Sequence, residues 1–327
     1  ADQFMQSHGN KINQANSNDE SRLEYNLASN PDILKTSKNL MIDPKTLANF
    51  YEMHFSENPR ATPVELNLNF ADLPEKYQYL NEVIENFRSI RILDVPPTEE
   101  ELRDLLWDLP NNRCMGTDKI YLESLRYGVN SPSFIKNLKY FFDQLWETEE
   151  IPYRWRNSQI TSLYKKGEIS NPQSYRAISI YDTMSRILPI LAIKRLKPAY
   201  ELTLDRAQCG FVAEKGCDEA IWTIRNICEN TDQKFYMVFV DIKAAYDRIP
   251  RDLLFEVLKL RFNDNKLIHL MELYYKDTKT TVKYDKNNLF PTIAGCRQGA
   301  QESPMFFSCF SDWVNKIANH DIIEEVG

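Results

Sequence analysis

Residues 235–241, FYMVFVD, set the tightest limit on what this chain can fold into. Six consecutive apolar or aromatic side chains leave no polar face for solvent, so the run predicts a buried strand. The strand ends on Asp241, where the chain leaves the sheet, and an acid there needs a compensating partner. A carboxylate in that place can reach a magnesium ion, with a nearby backbone carbonyl as a further oxygen. Taken alone, the same Asp also suits a turn after a core strand.

The rest of the chain alternates helical and extended periods. Helices are predicted at 43–56, 97–109, 132–147, 182–197 (bent by Pro189), 217–229 and 251–262, and Ser303-Pro304 launches another over 305–317. At 97–109, Thr98 can cap the first turn while Glu101 reaches back to the cap's own N–H. Further strands are predicted at 158–164, 278–284 and 289–294, the last two forming a hairpin across DKNN. A chain of 327 residues with 43% hydrophobic content can bury a sizeable core and spans more than one lobe. Residues 1–42 are polar and read as a tail or linker.

No stretch approaches the roughly 18–20 consecutive apolar residues of a membrane span, and the N-terminus has no apolar signal core. A soluble protein of the cytoplasm or nucleus, without a membrane, is expected. Six scattered cysteines without a C-x-x-C pair, and four histidines without ligand spacing, point to a reducing compartment and no zinc site. The formal net charge of -7 is uneven. Residues 1–110 carry 10 Lys+Arg against 19 Asp+Glu, while 111–327 carry 30 against 28, so local basic patches weigh more than the total.

GCRQGAQESPMFF (295–307) forms a second constellation: glycines that admit close backbone approach, the amide of Gln298, and the helix start at Ser303-Pro304. In this order, VFVDIKAAYDRIPR (238–251) and the Arg-Gln-Gly run resemble reverse transcriptases, particularly those of non-LTR, LINE-like retrotransposons. The resemblance covers roughly residues 43–327. PTEEELRDLLWDLPNNRCMGTDKI is similar to the family's helix and N-K-A-P-G-x-D-G loop, 151–180 to its fingers segment ending in N-Y-R-P-I-S-L, and 205–221 to Q-x-G-F-R-x-G-x-S-T.

The resemblance implies an α+β fold, with right-hand polymerase fingers and a partial palm whose helices pack on a small antiparallel sheet. It divides the chain into the tail, a helical N-terminal extension (43–110), fingers (111–234) and part of a palm (235–327). The implied reaction is RNA-directed DNA synthesis with Mg, on an RNA template and a DNA primer, from deoxynucleoside triphosphates. Asp241 would be the catalytic, metal-holding acid. Lys165, Lys166 and Arg176 would hold the triphosphate, and Tyr246 would exclude a ribose 2′-hydroxyl. Arg297, Gln298 and Gly299 would complete the nucleotide site.

The family's aromatic-x-Asp-Asp hairpin has no counterpart, since the sequence contains no Asp-Asp pair, and FADL (70–73) lies upstream of Asp241. The chain alone is therefore expected not to extend a primer. Cys114-Met115, Ala177, Val212 and Gln301 depart from the family pattern. They favour an alternative, a decayed or domesticated remnant that binds nucleic acid or protein without turnover. A viral RNA-copying polymerase fits less well, because it places a small or polar group where Tyr246 stands.

Overall fold

The computed structural model describes residues 42–56, 91–111, 115–231, 236–263, 265–283 and 285–326. The predicted tail, apart from Ile42, the 70–73 run and Cys114 lie outside these residues.

Helix α1 (Pro44–Ser56) buries Leu47, Ala48, Tyr51 and Phe55, spaced along one face. This face lies on a four-stranded sheet and forms a small core with Ile160, Ala177, Val282 and Phe290. The strands are β1 (Asn157–Tyr164), β2 (Tyr175–Ile180), β3 (Lys279–Val282) and β4 (Asp285–Pro291), in the order β2-β1-β3-β4. β1 pairs antiparallel with β2 and parallel with β3, and β3 pairs antiparallel with β4. The sheet is thus mixed and not purely antiparallel. A parallel pair needs a long crossover, and the helices between β2 and β3 supply it.

The expected hairpin turn also moves. Val282 pairs with Asp285, so DKNN lies inside β4. Polar residues are compatible with that strand because it is the sheet's edge.

The larger core is helical. α2 (Glu99–Trp107), α3 (Leu122–Gly128), α4 (Pro132–Thr148) and α5 (Ile187–Thr203) share it with α8 (Arg251–Phe262), α9 (Lys266–Tyr275) and α10 (Ser303–Val326). Ser131 caps α4 by accepting from Phe134 N, with Pro132 in the first turn, where its missing N–H is no loss. Asn265 caps α9 by accepting from Ile268 N at 3.0 Å. In α5, Pro189 falls in the first turn, where it does not bend the helix, and the proline inside the helix is Pro198.

Thr98 caps α2 as expected, accepting from Glu101 N at 3.1 Å. Glu101 departs from expectation. Its carboxylate takes two hydrogen bonds from the buried Arg195, at 2.8 and 2.7 Å, because a bidentate charge-assisted pair outweighs a single bond to a backbone amide.

Two elements stand away from both cores. α6 (Cys217–Asn230) has no buried residue. Residues 236–241, expected to be a buried strand, belong to no strand, and Phe239 and Val240 are 82% and 83% exposed. A strand exists only within a ladder, and among the described residues nothing pairs with this segment. A short helix α7 (Ala245–Arg248) follows it.

Candidate active site

Three segments far apart in sequence meet at one place. The loop 295–299 joins the 246–249 turn, since Cys296 N donates to Tyr246 O and Gly295 N to Ile249 O, both at 2.8 Å. The same loop joins the end of β2, where Ser179 N donates to Gln298 O at 3.1 Å. Gly295 makes the first junction possible. It holds φ +81°, and a Cβ there would stand 2.6 Å from Tyr246 O. Gly299 holds φ +91°, and its Cβ would come within 3.1 Å of Ser179 O.

Tyr246 is half-buried and stacks on Phe307 of α10, with centroids 4.5 Å apart and planes 15° from parallel. Phe211 meets its edge at 6.5 Å. The ring thus stands between α10 and the loop before α6. Asp241 is exposed on the unpaired segment that leads into this turn. Among the described residues no group of three or more His, Cys, Asp and Glu is placed to hold a metal ion. The described residues therefore do not supply a complete set of side-chain ligands for a metal ion.

Lys165 and Lys166 are exposed in the loop between β1 and β2, where Lys165 N donates to Ser174 O at 2.8 Å and Gly167 turns the chain with φ +105°. Arg176 is half-buried on β2, opposite Leu163. One hairpin therefore carries the three cations at its tip and touches Gln298 through Ser179 at its other end.

Arg297 sits differently from its neighbour Gln298. It is 5% exposed and donates to Trp155 O and Tyr274 O at 3.3 and 2.8 Å. Its guanidinium lies 3.8 Å from the Tyr274 ring centre, with Tyr181 and Tyr275 at 5.0 and 5.1 Å. Burial pushes the Tyr181 and Tyr275 phenols up, so both are neutral faces for the cation. Ser303 Oγ donates to Arg297 O at 2.8 Å, which ties this residue to the start of α10.

Sequence reasoning missed Arg251 and the contact between α1 and the turn. Arg251 donates to Gly295 O, Tyr275 O, Thr278 Oγ1 and Thr292 O at 2.6–3.0 Å, and so holds the base of the 295–299 loop. His54 Nε2 lies 3.1 Å from Asp247 Oδ2. Both contacts span tens to hundreds of residues, and no local spacing rule reports them.

The sequence model of the family "Reverse transcriptase (RNA-dependent DNA polymerase)" matches residues 163–324, about half the chain, which include Lys165, Lys166, Arg176, Asp241, Tyr246 and the 295–299 loop. The "Probable RNA-directed DNA polymerase from transposon BS" of Drosophila melanogaster is 24% identical over 245 residues, 72% of this chain and 27% of that protein. The "Transposon TX1 uncharacterized 149 kDa protein" of Xenopus laevis is 23% identical over 66% of this chain and 17% of its own length. The "Retrovirus-related Pol polyprotein from type-1 retrotransposable element R2" of Popillia japonica is 24% identical over 50% of this chain and 23% of its own. The chain thus spans about a quarter or less of each of these relatives. Residues 163–324 are a reverse transcriptase domain, and the chain belongs to that family, with relatives among the non-LTR, LINE-like retrotransposons.

Proposed function

We propose that this chain supplies the nucleotide-holding part of an RNA-directed DNA polymerase, with residues 111–234 as fingers and 235–327 as part of the palm. The observation that carries the reading is the convergence of the β1–β2 hairpin, the 246–249 turn and the 295–299 loop. A nucleotide laid along the hairpin from its tip would have its triphosphate near Lys165, Lys166 and Arg176, and its sugar near Tyr246, Gln298 and Gly299. Magnesium is the proposed ion, and Asp241 would give it one carboxylate oxygen. Template, primer and deoxynucleoside triphosphates are the proposed partners, in the cytoplasm or nucleus.

Tyr246 decides the identity of the product. Its ring is braced by Phe307 and Phe211, so it cannot yield readily to a ribose 2′-hydroxyl. In a protein that carries this chain followed by an aromatic-x-Asp-Asp hairpin, Tyr246→Val should raise ribonucleotide incorporation relative to deoxyribonucleotide by about tenfold or more. The measurement is that ratio on an RNA template, alongside the melting temperature. An unchanged ratio in a folded variant removes the gate.

A further inference from the structure

A small cavity lies behind the 295–299 loop, on the side of Arg297 and Arg251, lined also by Arg156, Ser158, Thr280 and Thr292. Its volume, about 20 Å³, is room for about one water-sized particle. Three arginines around so small a space are unusual, because like charges repel and each loses hydration.

The donors around it are incompletely used. Arg156 Nε is buried and has no hydrogen-bond partner among the described residues. Arg251 makes its four hydrogen bonds from Nε and Nη1, which leaves Nη2 without an acceptor among the described residues. Ser158 and Thr280 hydrogen-bond to each other, so one of the two hydroxyl protons stays available.

The counter-charge is weak. Glu302 is fully buried, takes a hydrogen bond from Tyr275 at 2.9 Å, and has its carboxyl pushed up by burial, with Arg297 acting against that shift. Asp277, 3.9 Å from Arg156, is 71% exposed. Asp247 faces His54. Burial, followed by the like charge of Arg297, pushes Arg251 down to about 10.

We propose that this cavity is a binding site for one small inorganic anion, a halide or an orthophosphate, held by Arg156 and Arg251 beneath the 295–299 loop. The anion supplies the negative charge that the protein leaves out, and accepts from Arg156 Nε and Arg251 Nη2. A halide fits the space as it stands. An orthophosphate enters if Arg156, whose side chain is 25% exposed, swings outward. Because Ser179 N and the Gln298 carbonyl meet at the cavity's edge, occupancy also braces Gln298.

The test is thermal unfolding of the purified 327-residue chain at constant ionic strength, with gluconate replaced stepwise by chloride and, in a second series, by phosphate. The melting temperature should rise saturably by several degrees with at least one of the two anions, and the series that saturates identifies the class. Arg156→Gln should fold without added anion, since the ion pair of Arg156 with Asp277 is long and exposed, and should raise the half-saturating concentration about tenfold or more. Arg156→Lys should restore part of that loss. Melting temperatures that do not saturate with either anion, or an Arg156→Gln variant that saturates like the wild type, overturn the site.

Discussion

Arg195 joins parts of the helical core that no local sequence pattern connects. Its side chain is 2% exposed and binds both oxygens of Glu101, together with the carbonyls of Ile92 and Val95 at 2.7 and 2.8 Å. Arg195→Ala leaves a poorly solvated carboxylate and two carbonyls unpaired, and is expected to destabilise by about 3–5 kcal/mol, read from denaturant unfolding. Loss of under about 1 kcal/mol would refute the pairing. The Thr98 cap was legible because its partner is three residues away, whereas Arg195 lies 94 residues from Glu101. Arg297 follows the same pattern. The Arg-Gln-Gly run marks it as a nucleotide contact, while the tyrosines around it come from other elements and are visible only once the chain has folded.

Helix α8 is held to α10 by a buried cluster. Asp312 accepts from Arg261 and, at 2.6 Å, from Lys316, while Lys316 also donates to Thr203 O at the end of α5. Burial works against the Asp312 charge, but Arg261 and Lys316 outweigh it and hold the carboxyl below its ordinary value. The folded-state value is therefore below the unfolded value of about 3.9. The stability this group contributes is present above about pH 3.9 and is lost as pH falls through the folded value. Asp312→Asn leaves two buried cations facing a neutral amide, and should cost about 3–5 kcal/mol at pH 7. It should also flatten the acid side of the stability profile, and an unchanged acid limb would exclude Asp312 as its source.

At this scale the sequence reads well where one face of a helix repeats. α8 runs over the predicted 251–262, and α1 falls within the predicted 43–56 and buries Leu47, Ala48, Tyr51 and Phe55. It reads badly at 235–241, because composition reports that a segment wants a ladder and says nothing of whether a partner strand is at hand. α9 went unseen although its faces contrast: Lys266, His269 and Glu272 recur every three residues, while Leu267, Ile268, Met271, Tyr274 and Tyr275 are buried.

For the whole molecule, one helical core extends from Leu93 to Cys309 and ties the segments on either side of the proposed fingers–palm boundary together. The second core sets α1 on the sheet, so the N-terminal helix shares in positioning the hairpin. Order of motifs along the chain carried the family reading, because a catalytic fold conserves sequence order even when the pairings are long-range. The geometry adds that these motifs meet at the 295–299 loop.

The most direct test is primer extension on an RNA template by a protein that carries residues 1–327 followed by an aromatic-x-Asp-Asp hairpin, comparing wild type with Asp241→Asn. The exposed Asp241 is assigned to metal and not to packing, so the substitution should leave folding and template–primer affinity within a few-fold of wild type while incorporation falls to background. Incorporation by Asp241→Asn within a few-fold of wild type would contradict the assignment, and with it the reading of this chain as part of a working reverse transcriptase.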